Sequence, residues 1–393
     1  MKKEEFIKNY IIDRRGTNST KWDQLKEKYG RDDLIAMWIA DTEFHVPECV
    51  EEALIKRAKL GAFGYSFVPD SYYKAYSDWM QNRHGFPVKK DWVRFSTGCI
   101  TLMAWMINAF TQKDDSILIL TPVYYPFRNV IEMNYRNPVA VDLVYKDNTF
   151  YLDLDAIEEA IVKNNVKMFL LCSPHNPAGR VWTEKELKDL LGLCRKHHVL
   201  VVSDEIHQDI IPGSHQFIPA AVVDNGAYRD MVLTINSASK SFNMASLLHA
   251  HAIIPDEKLR AEYDRYCRGI NRTEMNVMGL AATEAAYTNG GEWFDASLEV
   301  IRDNYNYLKS ELERNEPKIH VCALEGTYLA FLDFREVVPA EKVKDFIIDQ
   351  CHIAADFGEQ FGENWQGFAR LNLATDPEYV KKAVSNIISA LKK

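Results

Sequence analysis

Apolar residues along this chain fall into two alternating patterns. Four short runs, SILIL (116–120), VKMFLL (166–171), VLVVSDEI (199–206) and MVLTI (231–235), are continuous and rich in branched side chains. Runs of that length and make-up predict strands buried on both faces. Between the second and third lies TEKELKDLLGLCRKHH (183–198), which repeats with a helical period instead. Leu187, Leu190, Leu191 and Cys194 form its apolar stripe, Thr183 with Glu186 is a capping-box pair, and Arg195 to His198 suit the negative end of the dipole. Strand, helix, strand at this spacing predicts an α/β fold, a mostly parallel sheet with helices on both faces.

From about residue 290 the pattern changes to amphipathic helical segments such as SLEVIRDNYNYLKSELE with a few strands. The expected organisation is a three-layer large domain over 46–288 and a smaller α+β domain formed by 1–45 and 289–393. Ligands in parallel sheets sit beyond the strands' C-terminal ends. Here those ends run into TPVYYP, CSPHNPAG, SDEIHQD and NSASK. Four polar exits therefore converge on one crevice.

Composition narrows the chemistry that crevice can serve. The 393 residues carry a net charge of −9, which gives no global field to gather nucleic acid or anionic membrane. The opening MKKEEFIKNY lacks the apolar core of a signal peptide, and no run approaches the length of a membrane span. Seven scattered cysteines without a C-x-x-C pair suit reduced thiols in a cytoplasmic protein, with neither a disulfide framework nor a zinc site. His249-Ala-His251 has no further ligands at metal-site spacing, so no metal is expected.

One cofactor needs the groups that the exits supply. Pyridoxal 5′-phosphate acts as an electron sink for carbanions and requires a lysine, a carboxylate for its ring nitrogen, donors for its phenolic oxygen and phosphate, and an aromatic face. Lys240 is the candidate lysine and Asp204 the candidate carboxylate. Asn176 and His207 could reach the phenolic oxygen, and Tyr124 could stack on the ring. The turn at Gly98 opens an apolar helix whose first amides, at Cys99 and Ile100, would attract a phosphate, with Ser237 and Ser239 adding hydroxyls. Arg370, on an apolar segment of the second domain, has the forked geometry that suits a substrate carboxylate. Taken singly, each has a plainer reading: a solvated lysine, a helix cap, a turn, a core aromatic, a structural ion pair. Ser237-Ala-Ser-Lys240 also matches the S-x-x-K of penicillin-binding enzymes, but the S-D-N and K-T-G that family needs do not follow.

Together and in this order, the residues resemble the fold type I pyridoxal-phosphate enzymes, the aspartate aminotransferase superfamily, over essentially the whole chain. Within it the sequence is most similar to the MalY/PatB group of cystathionine β-lyases. The likeness is carried by KWD (21–23), MWIADTEF (37–44), FGYSF (63–67), SDEIHQDI (203–210), SASKSFNMASL (237–247), EGTYLAFLDF (325–334) and FARLN (368–372). It departs at Thr42-Glu43-Phe44, where the group often has M-D-F, and at NMASL, where N-L-A-G-L is frequent.

The resemblance implies that Lys240 carries the cofactor, Asp204 holds its ring nitrogen, Asn176 contacts its phenolic oxygen, Tyr124 stacks on it and Arg370 clamps the substrate. It also implies a homodimer with the active site at the subunit interface, because Tyr65 resembles a tyrosine that crosses to the neighbour's phosphate. Lys240, Tyr124 and Tyr65 would form the catalytic group, with Arg370, Tyr124 and Asn176 around the substrate. The implied activity is α,β-elimination from cystathionine, cysteine or a related S-conjugate, giving pyruvate, ammonia and a thiol or hydrogen sulfide. An aminotransferase of the same fold, or an interaction protein that retains it, are the alternatives.

Overall fold

The computed structural model describes residues 1–271 and 275–392. Its central sheet has seven strands, in the order Val93–Ser96, Ala250–Ile253, Val232–Asn236, Leu200–Asp204, Met168–Cys172, Ser116–Thr121 and Asn137–Asp142. Ala250–Ile253 runs antiparallel to both neighbours, and the remaining pairings are parallel. The four apolar runs are four of the sheet's five interior strands, with ends within two residues of those the pattern implied. Alternate side chains enter two separate cores, as burial on both faces requires. Leu118, Leu120, Phe169, Leu171, Val201 and Val232 pack on one side, and Ile117, Ile119, Met168, Leu170, Val202 and Leu233 on the other.

The helix between the second and third runs spans Glu184–Lys196, and both bonds of the Thr183/Glu186 capping box are present. Its stripe, Leu187 to Cys194, is buried in the first core. On the opposite face lies the helix Cys99–Phe110, which follows Gly98 and buries Leu102, Met103, Met106 and Ile107. Two helices on two faces put the C-terminal strand ends, and hence their polar exits, on one edge.

A second sheet of four antiparallel strands runs in the order His320–Val321, Leu329–Asp333, Phe368–Asn372 and Asp356–Phe357. The helices Gly291–Asn315 and Pro377–Leu391 cover it and contribute Leu308, Leu312, Val380, Val384 and Ile387 to a third core. The N-terminal segment joins this part of the molecule through Ile35–Ala36, which pairs in parallel with Ile353–Ala354. The first helix, Lys3–Tyr10, reaches the other way: Phe6 packs its ring against Phe44 at 5.1 Å and Trp293 at 5.4 Å. The chain from 37 to 44 consequently lies between the two sheets, alongside the polar edge.

Candidate active site

Ten of the sequence-predicted residues line one cavity of about 210 Å³ at that edge: Lys240, Asp204, Asn176, His207, Tyr124, Gly98, Cys99, Ile100, Ser237 and Ser239. A cavity of about 330 Å³ under Tyr125 and Phe361 contains none of them. Register explains the gathering. Cys172 stands opposite Asp204, and Asp204 opposite Ile235, so three neighbouring strands end level with one another.

Asp204 closes its strand at 5 % exposure and forms no ion pair among the described residues. Among the described residues its carboxylate accepts a hydrogen bond from the Ile206 amide alone, at 3.1 Å. Burial pushes its carboxyl up to about 7, against the pull of that amide and of the Lys240 charge. A buried carboxylate without a cation is expensive, and a protonated ring nitrogen would relieve it. His207, also buried, leaves Nδ1 without a partner among the described residues. Burial holds its imidazole well below the usual range, with Lys240 and Arg370 adding to the effect, so the ring stays neutral.

Lys240 donates from Nζ to the Ala40 carbonyl at 2.6 Å, and the Tyr328 hydroxyl donates to the same oxygen at 3.0 Å. Burial lowers the proton affinity of its amine; Asp41 works against this and Arg370 with it. Ala40 is held in place from both sheets. Asn243 donates to the Thr42 and Phe44 carbonyls at 3.1 and 2.8 Å, and Asn372 donates to the Ile39 carbonyl at 2.6 Å. The MWIADTEF segment is thus a strap that presents one carbonyl to the lysine.

At the far end of the cavity the helix Cys99–Phe110 begins without a side-chain cap, and a β-carbon on Gly98 would meet nothing within 4 Å. That leaves open space before amides that favour an anion. Ser237 lines the same space, but its hydroxyl donates to the His249 carbonyl at 2.6 Å and accepts from the Ser239 amide at 3.0 Å. Its hydrogen is committed to shaping the loop. Tyr124 is half-buried beside the cavity, and burial pushes its hydroxyl up to about 12. The buried carboxylate, the orphaned imidazole nitrogen, the open helix start and the lysine together fit pyridoxal 5′-phosphate.

Two predicted residues lie outside the lining. Arg370, on Phe368–Asn372, donates from Nη1 to Asn176 Oδ1 at 3.0 Å and so adjoins the cavity from the second sheet. It also pairs with Asp356, a partner that sequence reasoning missed. Tyr65 is 98 % exposed and touches nothing in the cavity of its own chain. Ala40, Tyr328 and Asp41 were missed too. Only the quoted motifs around them could have pointed there, since a backbone carbonyl has no signature in sequence. His249 and His251 are bridged by the Tyr72 hydroxyl, 2.6 Å from His249 Nε2, and His251 Nδ1 meets Asn236 Oδ1 at 3.1 Å. The pair belongs to a buried hydrogen-bond chain.

Comparison with known proteins agrees with this geometry. The family described as aminotransferase class I and II matches residues 39–387. The chain is 34 % identical over 381 residues to cystathionine beta-lyase PatB of Bacillus subtilis, covering 96 % of this chain and 98 % of that one. A PLP-bound putative aminotransferase from Clostridium difficile superposes with a TM-score of 0.93 at 36 % identity, covering 98 % of this chain and 99 % of that one. The PLP-bound C-S lyase from Staphylococcus hominis gives 0.91 at 32 % identity, covering 99 % and 98 %.

Proposed function

We propose that this chain, which belongs to the class I and II aminotransferase family and is a pyridoxal-phosphate enzyme, is a carbon–sulfur β-lyase. It performs α,β-elimination on an amino acid that carries sulfur at its β-carbon: L-cystathionine, L-cysteine or a related S-conjugate. The observation that carries this reading is a lysine whose amine burial drives toward neutrality, in the same cavity as an uncompensated buried carboxylate. The similarity to PatB and to the Staphylococcus hominis C-S lyase favours elimination among the reactions such a site can run.

Bound pyridoxal 5′-phosphate supplies the electron sink that makes a carbanion at the α-carbon accessible. Asp204 would hold its ring nitrogen, Asn176 and His207 its phenolic oxygen, and Gly98, Cys99 and Ile100 its phosphate. Ser239 would complete the phosphate end, on a loop that Ser237 shapes, and Tyr124 would lie on the ring. Arg370 would grip the substrate carboxylate and fix the α-hydrogen toward Lys240. A neutral Lys240 amine takes that hydrogen as a proton and holds it on Nζ. Tyr124, protonated up to about 12, donates a hydrogen bond to the departing sulfur. Lys240 returns its proton to the thiolate, so the proton count closes. The 2-aminoacrylate released hydrolyses to pyruvate and ammonia.

The assembly we propose is a homodimer. Leu60, Phe63, Tyr65 and Phe67 are each at least 60 % exposed within eight residues, far more apolar surface than so short a stretch leaves in water without a partner. Tyr65 would reach the partner's phosphate end. None of the seven cysteines is in a disulfide among the described residues, which supports a reducing, cytoplasmic setting. No helix among the described residues is long and apolar enough to cross a membrane.

Transamination is the second reading, favoured by the likeness to the Clostridium difficile putative aminotransferase. It shares every step through proton removal. Incubation with L-cystathionine and no keto acid separates the two: elimination releases pyruvate and a thiol, whereas transamination releases neither.

A further inference from the structure

Arg370 has five N–H donors, and a bidentate grip on a carboxylate needs two of them free and parallel. Nη1 donates to Asn176 Oδ1, while Nη2 donates both to the Trp38 carbonyl at 2.9 Å and to Asp356 Oδ2. Nε has no partner. Either bidentate face of a guanidinium, end-on through Nη1 and Nη2 or side-on through Nε and Nη2, uses Nη2. Both of its hydrogens are taken. Asp356 stands directly across from Arg370 in the antiparallel register and is 7 % exposed, so it is built into the site and not swept across it.

We propose that Asp356 is a resident carboxylate that competes with the substrate's own carboxylate for Arg370, and so sets which ligands the clamp accepts. This rests on Arg370 being the substrate clamp. Arg370 with Asp356 is a neutral pair, and a second carboxylate brought onto the same guanidinium leaves two buried anions sharing one cation. Binding is relieved when Asp356 takes up a proton. The other groups facing Asp356 cannot supply that compensation: Tyr29 and Lys28 from the helix Leu25–Tyr29, and Tyr124 and Tyr125 from the turn after Ser116–Thr121. The tyrosines are neutral donors at most, and the Lys28 side chain is out in solvent. A plain carboxylic acid must displace Asp356 with nothing else to gain. An amino acid has the amine as a second foothold, and the clamp selects for it.

The test uses the cofactor-loaded protein and 3-(methylthio)propionate, a thioether carboxylate that lacks the amine and cannot react. Calorimetry at pH 7 in two buffers of different ionisation enthalpy counts protons taken up on binding. The wild type should take up close to one proton per bound probe. Asp356→Asn keeps an oxygen for Nη2 and should bind the probe about tenfold tighter, the ratio between a charge-assisted and a neutral competitor, with no such uptake. Weaker binding by Asp356→Asn, or no proton uptake by the wild type, would overturn the proposal and make Asp356 a residue that merely orients Arg370. The proton count on the wild type decides the matter even if the variant does not fold. Absence of lyase turnover would leave this binding measurement intact, and an Arg370→Met control with unchanged probe affinity would remove the clamp itself.

Discussion

Asn176 Oδ1 accepts a hydrogen bond from Arg370 Nη1 at 3.0 Å, across 194 residues of sequence. The bond ties a loop that lines the cavity to the strand that carries the proposed substrate clamp. Asn176 also receives the Tyr124 amide on its backbone carbonyl at 3.1 Å, so one residue fixes Tyr124 and the guanidinium together. Asn176→Ala should raise KM about tenfold, the loss of one hydrogen bond to a charged group, and shift the absorbance of the bound cofactor. Steady-state kinetics and a visible spectrum check both.

Asp204 makes a prediction that needs no turnover. Its carboxyl lies near 7 in the protein without cofactor and near 4 in an unfolded chain. The folded state therefore prefers the protonated form: its contribution is fully present below pH 4 and is lost as pH rises through 7. Cofactor-free Asp204→Asn should be the more stable protein at pH 8, by roughly 4 kcal/mol, and should lose that advantage at pH 4. With the cofactor bound the order should reverse, because the asparagine cannot pair with a protonated ring nitrogen. Urea unfolding at the two pH values, with and without pyridoxal phosphate, measures all four states.

Lys21 and Glu43 form an ion pair at 2.8 Å with both side chains fully buried. Glu43 has further support from Trp22 Nε1 at 3.1 Å and from Arg14 at 3.6 Å. The pair anchors the strap that carries Ala40. Lys21→Met should cost about 3 kcal/mol by leaving a buried carboxylate short of its cation, whereas Lys21→Met with Glu43→Leu should recover most of it. Denaturant titration of the three proteins distinguishes a pair that is needed from one that is merely satisfied.

The exposed stretch 60–67 yields a prediction about assembly. Phe63→Asp with Phe67→Asp should convert a dimer into monomers in sedimentation and weaken pyridoxal phosphate binding in the same step, since Tyr65 would no longer be delivered. Tyr65→Phe should stay dimeric and lose cofactor affinity alone. A double variant that remains dimeric would remove this face from the interface.

The interior of the main sheet was legible because its strands are buried on both sides and so are continuously apolar. Its two edge strands and its antiparallel member were not. Asn137–Asp142 begins Asn-Pro and is exposed or half-buried throughout, as an edge tolerates. Val93–Ser96 carries Arg94, and Ala250–Ile253 carries His251 within four residues, so neither shows a run. The cavity lining could be read because it depends on side chains placed just past strand ends. What could not be read depends on backbone or on pairing between distant segments: the Ala40 carbonyl under Lys240, and Asp356 against Arg370. Neither leaves a local pattern.

The most direct test of the account is one assay on the purified protein loaded with pyridoxal phosphate: L-cystathionine is added without any keto acid, and pyruvate and free thiol are followed together, in the wild type and in Lys240→Ala. We expect the wild type to release both in equal amounts and the variant to lose at least about a hundredfold in rate, the least that a positioned acid–base group contributes. A wild-type protein that carries the cofactor on Lys240 yet releases neither product from cystathionine, cysteine or an S-conjugate would contradict the lyase assignment.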